Sequence, residues 1–206
     1  MQDRITRIQG TMIPIYGEDV DTDRIIAARY MKALDFSQLA KFVFIDERES
    51  FSARNEIHPM DDPRYSDASI LVVGRNFGCG SSREHAVQAL KRWGIQAIIG
   101  ESFGEIFRGN SVSAGMPCFT VSSDQRAELQ NWIENHAGSE VEIDLQNSQL
   151  RWEKQSVSLE MPDGMLKRFT SGGWNELGRL RNAESLIQGV ASKLPYMHWK
   201  KEMDVA

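Results

Sequence analysis

Cysteine is scarce in this chain: two residues in 206, Cys79 and Cys118. One pair so spaced builds no disulfide framework, contains no CxxC motif and cannot supply the four ligands of a zinc ion or an iron–sulfur cluster. Also missing is any apolar run long enough to cross a bilayer, and Met1-Gln2-Asp3-Arg4 lacks the charged-then-apolar pattern of a secretory signal. A reducing, cytoplasmic location is the expectation. The net charge of −5 and pI near 5.5 come without a basic stripe or an aromatic–basic cluster, so the footprints of a nucleic-acid or membrane partner are absent. What is present, 41% hydrophobic and 26% charged residues without internal repeat, suffices for one domain over 1–206 that buries a real core.

Apolar residues at 5–8 and 12–16 predict two short strands, weakened by Gly10 and Pro14. They lead into Gly17-Glu18-Asp19-Val20-Asp21-Thr22-Asp23-Arg24-Ile25-Ile26, where three aspartates crowd one turn. Such a cluster closes turns through its own backbone, and it equally suits an active-site rim. Residues 27–41 carry helix formers, with a short helix from Ser37, yet Arg29-Tyr30-Met31-Lys32 is polar enough to face a ligand. The stretch 47–67, charged and holding Pro59 and Pro63, reads as a mobile surface loop within an insertion over 45–67.

The pattern then turns regular: strand 69–73, helix 82–93 closed by Gly94, strand 95–99, helix 103–114 closed by Gly115, strand 118–121. This βαβαβ order predicts an α/β fold with parallel strands and right-handed crossovers, whose ligands bind at the carboxyl ends of the strands. Ser122-Ser123-Asp124-Gln125 has the capping-box spacing and opens a helix running to His136. Alternation at 140–145, 150–152 and 157–161, with turns at Asn147-Ser148 and Asp163-Gly164, makes a β-rich appendix over 140–206 that closes with a helix at 182–193.

The chain is organised around Gly74-Arg75-Asn76-Phe77-Gly78-Cys79-Gly80-Ser81-Ser82-Arg83-Glu84-His85-Ala86, a glycine-rich turn between a strand and a helix. It is not GxGxxG, because Arg83 stands where the third glycine belongs; it has no GK[ST] and no GxSxG, which removes the familiar nucleotide sites and the hydrolase elbow. Ser81-Ser82-Arg83-Glu84 alone reads as a capping box. A cap needs one hydroxyl, however, and here a second hydroxyl, a guanidinium and a glycine approach converge on a helix N-terminus, which suits a carboxylate or a developing oxyanion. Cys79, without a histidine partner, reads as a small packed residue, and the four histidines show no metal-ligand spacing.

Three segments, GEDVDTDRII at 17–26, RNFGCGSSREHA at 75–86 and IQAIIGESFGEIFRGN at 95–110, closely resemble the small subunits of 3-isopropylmalate dehydratase, the swivelling β/β/α domain of the aconitase superfamily. Leu194-Pro195-Tyr196 is similar as well. The resemblance implies half of an enzyme, in which a large subunit carries the [4Fe-4S] cluster and this chain carries no cofactor or metal. It implies a small diacid substrate, dehydrated and rehydrated in leucine biosynthesis. By position it implies Ser81 as the base, Asp23 as an orienting group, and Gly80, Ser82 and Arg83 at the substrate carboxylate, with substrate choice at Arg29, Tyr30, Met31 and Lys32. Two departures stand out: Ala27 replaces the proline of IIPxR, and Val87 replaces a frequent proline after His-Ala. Homoaconitases and citraconate or dimethylmalate hydratases share the scaffold, and a non-catalytic anion-binding module is the reading from another class.

Overall fold

The computed structural model describes residues 4–30, 36–80, 84–194 and 196. Among them, seven strands form one sheet in the order β4-β3-β2-β1-β5-β6-β7: β1 (Arg7–Pro14), β2 (Ala68–Val72), β3 (Ala97–Gly100), β4 (Cys118–Thr120), β5 (Glu140–Asp144), β6 (Gln149–Trp152) and β7 (Gln155–Ser158). β1 to β4 run parallel, and β5 to β7 continue the sheet antiparallel from the free side of β1. The expected βαβαβ is therefore found, with β1 as a further parallel strand.

All five residues of β2 and all four of β3 are buried, as in a sheet covered on both faces. The helices of the two crossovers, α3 (Glu84–Trp93) and α4 (Glu105–Ser113), pack together on one face. α5 (Ser123–Asn135) lies over β1 and β2 on the other. α3 turns Ala86, Val87, Ala89 and Leu90 inward at helical spacing. Val87 thus sits in the core of a helix, where valine keeps the backbone N–H that a proline lacks. The capping box of α5 forms in full: Ser122 Oγ accepts from Gln125 N at 3.2 Å, and Gln125 Oε1 accepts from Ser122 N at 2.9 Å.

Three sequence expectations are corrected. The two strands near the N-terminus are one, β1, bent by a bulge between Thr11 and Met12. Gly10 does not break it; a Cβ there would lie 1.9 Å from Ser69 Oγ, so the glycine permits close approach of β2. The stretch 47–67 is no open loop. Helix α2 (Ile45–Ala53) and two 3-10 turns, Pro59–Asp61 and Pro63–Tyr65, fill it, anchored by buried His58, Met60 and Tyr65. His58 Nδ1 accepts from Met60 N at 3.1 Å between the rings of Phe44 and Phe51, and burial lowers its pKa, which fits a neutral packed imidazole. Asp163-Gly164 is the start of α6 (Asp163–Ser171) rather than a turn, with Pro162 at its N-cap. The described residues from Asn175 onward belong to a second compact unit, with helices α7 (Glu176–Asn182) and α8 (Glu184–Ala191).

Candidate active site

Three turns meet at the carboxyl ends of parallel strands, following β1, β2 and β3. The middle one is stitched to both neighbours through its backbone. On one side Asp19 N–H donates to the Arg75 carbonyl at 2.9 Å, Gly78 N–H to the Val20 carbonyl at 2.7 Å and Thr22 N–H to the Cys79 carbonyl at 2.9 Å. On the other, Phe77 N–H donates to the Ser102 carbonyl at 3.0 Å and Gly104 N–H to the Phe77 carbonyl at 2.9 Å. Asn76 adds a bond from its N–H to Ser102 Oγ at 2.8 Å and one from Nδ2 to Asp19 Oδ1 at 2.8 Å. The turn's backbone is thereby fixed before any ligand arrives, which is how a site avoids reorganisation during reaction.

Gly78 is where this stitching demands glycine. Its φ is +74°, and a Cβ would fall 2.2 Å from a ring carbon of Phe107, which itself packs edge-on against Phe77 with centroids 5.4 Å apart. The chain leaves through Gly80, exposed at φ +94° beside Asp21 and Thr22, toward α3. α1 (Thr22–Ile25) begins at the same place, with Asp21 as its cap accepting from Arg24 N at 2.7 Å.

The aspartate turn divides its labour. Asp21 caps α1 and Asp19 holds Asn76, while Arg75 spans Glu18 at 2.8 Å and Asp19 at 3.6 Å. Asp23 lies exposed on α1, and it has an interaction partner of its own. The Cys79 thiol is pushed up by burial and then by the charges of Asp21 and Asp19, so it stays protonated at neutral pH and makes a poor nucleophile. Cys118 is sealed in β4, its thiol pushed up to about 12 by burial.

Of the predicted substrate-choice residues, Arg29 and Tyr30 stand in the 3-10 turn Ala28–Tyr30. Arg29 is bound to Asp46 of α2 through two hydrogen bonds, one at 3.0 Å from Nη1, and its guanidinium lies 4.7 Å from the Tyr30 ring centre. Tyr30 stacks on Phe42 at 4.2 Å. Ala27, in place of proline, is buried, and its carbonyl accepts from Tyr30 N at 3.0 Å to close that turn. Ser81, Ser82, Arg83, Met31 and Lys32 lie outside the described residues. Sequence reasoning missed the contributions of Ser102, Asn76 and Phe107. A signal existed for the last, since Gly78 and Gly104 mark a backbone crossing that needs a wall behind it.

Residues 3–124 match the family model of the aconitase C-terminal domain. The chain is 43% identical to the 3-isopropylmalate dehydratase small subunit of Synechocystis sp. over 96% of its own length and 97% of that protein's. It is also 43% identical to the small subunit of Thermus thermophilus, over 95% and 98% of the two lengths. The chain belongs to the family of 3-isopropylmalate dehydratase small subunits. A crystal structure of the 3-isopropylmalate dehydratase from Methanocaldococcus jannaschii superposes with a TM-score of 0.63 at 30% identity, covering 87% of this chain and 99% of that one. All three stitched turns fall within the matched region 3–124. No group of His, Cys, Asp and Glu able to hold a metal ion occurs among the described residues of this small-subunit family member.

Proposed function

We propose that this chain is the small subunit of a 3-isopropylmalate dehydratase, interconverting 2-isopropylmalate and 3-isopropylmalate by loss and return of water through 2-isopropylmaleate. The observation that carries the reading is the convergence of the three family segments on one backbone-stitched turn opening into α3. The chain works in the cytoplasm as a swivelling domain docked to a large subunit.

Dehydration removes a weakly acidic C–H proton beside a carboxylate, stabilises the charge that builds on that carboxylate, and assists departure of hydroxide. We assign the first task to Ser81 as an alkoxide base and the second to Ser82, Arg83 and the Gly80 amide, with Asp23 orienting the group it engages. A serine hydroxyl ionises only where dipoles and a cation favour its anion. Glycine-loop amides, the start of α3 and Arg83 are the groups of this chain suited to that work. Two cysteines, one of them sealed in β4, are fewer than the thiolates a [4Fe-4S] cluster takes, and we place the cluster on the large subunit. There it supplies a Lewis acid to the leaving hydroxyl.

Substrate identity is tested by steady-state rates of the assembled enzyme with 2-isopropylmalate, citraconate and homocitrate. The expected order places 2-isopropylmalate first in kcat/KM by at least about tenfold, the discrimination that one or two buried methyl groups give. A higher value for either other diacid assigns the chain to a different hydro-lyase on the same scaffold.

A further inference from the structure

Helix α2 opens with two adjacent carboxylates, Asp46 and Glu47, and each holds an arginine of the segment that follows the aspartate turn. Glu47 Oε1 accepts from Arg24 Nη2 at 2.7 Å. That pair is the more sheltered, with side-chain exposures of 38% and 25%. Beside it Phe44 N–H donates to the Ile25 carbonyl at 2.9 Å, so backbone and side chain together fix the first turn of α2 against α1. Asp46, one residue before Glu47, is thereby held in register with Arg29 and takes both ends of its guanidinium fork. This second pair is open to water, with exposures of 57% and 49%.

The contrast in shelter matters chemically. A guanidinium fork binds one carboxylate with two parallel hydrogen bonds, and Asp46 already fills that place on Arg29. An exposed pair adds little to stability, so Arg29 can exchange one carboxylate for another at small cost. A group that must first be released from a competitor shows a weaker apparent affinity for its ligand.

We propose that Asp46 is a positioning residue that parks Arg29 on α2, and that a carboxylate of the substrate displaces it there, so that Asp46 sets the KM for the diacid. The inference rests on the proposed function and on the family resemblance, which implies substrate choice at Arg29. Glu47 is the fixed anchor that places the competitor, and Asp46 is the exchangeable partner.

The test is a double-mutant cycle in the assembled enzyme, using whichever of the three diacids the wild type turns over. Asp46→Asn is expected to lower KM, by up to about fivefold, the ceiling for an exposed pair, with kcat unchanged. Arg29→Ala is expected to raise KM. In the Arg29→Ala background, Asp46→Asn is expected to change nothing, since the released fork is gone. A KM that stays level or rises in Asp46→Asn overturns the inference, as does the same fall in KM in both backgrounds. Either result leaves the proposed function standing. A wild-type complex that turns over none of the diacids overturns the proposed function itself and this inference with it.

Discussion

Replacing Ser81 with alanine is expected to cut the kcat of the assembled enzyme by about 10³-fold, the middle of the range for removing a positioned general base. The reasoning starts from the proton. A C–H beside a carboxylate is weakly acidic, and a neutral hydroxyl is a weak base, so the proposed role requires a serine whose anion the site stabilises. The turn at 75–80 has the required rigidity, since five backbone hydrogen bonds tie it to its two neighbours before substrate binds. Alanine removes the base and leaves those bonds untouched, so KM is expected to move little. Ser82→Ala supplies the contrast. Its assigned work is at the carboxylate, so its main effect is expected in KM. If Ser81→Ala keeps more than about a tenth of the wild-type kcat, a loss below the range for a general base, proton removal belongs elsewhere and the loop reverts to an anion-binding module.

Gly78→Ala is the second large effect. An alanine at φ +74° costs about 1–2 kcal/mol in backbone conformation, and its Cβ meets the Phe107 ring at 2.2 Å, adding roughly 1–3 kcal/mol of overpacking. For a chain of 206 residues each kcal/mol moves the melting temperature by about 2–4 °C, so a fall of roughly 5–15 °C is expected in the isolated subunit. Activity should fall further than stability, because the Gly78 N–H that holds Val20 and the Phe77 carbonyl that holds Gly104 both move with the strained residue. Adding Phe107→Leu should recover little of either, since leucine keeps the Cβ and Cγ that the new methyl meets at 2.7 and 2.2 Å and the φ is unchanged. A Gly78→Ala protein that melts within about 1 °C of the wild type, a fraction of a kcal/mol at this size, would show that the turn does not depend on this conformation.

The parts of this fold that were legible in the sequence are those written locally. The βαβαβ run declares itself through apolar runs, glycine stops and helical spacing, and α5 through a capping box that forms as written. What was hidden depends on partners far along the chain. Gly10 looks like a strand breaker until Ser69 is placed against it, and 47–67 looks like loop because its anchors, His58, Met60 and Tyr65, follow no helical or strand period. The site divides in the same way. The family resemblance picked out the three segments that the backbone then joins. The work of Ser102 in holding the loop, and of Asp46 in holding Arg29 across 17 residues, follows from contacts that no local pattern encodes. Arg29, read as a residue facing ligand, engages a carboxylate of its own chain, and a polar residue's partner cannot be read from its charge.

The most direct test of the account is anaerobic dehydration of 2-isopropylmalate by the purified chain, assayed alone and after mixing with a cluster-reconstituted large subunit of the same family. The account predicts turnover in the mixture and none in the chain alone, because it assigns the base and carboxylate site to one subunit and the Lewis acid to the other. Turnover by the chain alone would contradict it, since this chain would then have to assist the leaving hydroxyl with residues assigned here to packing.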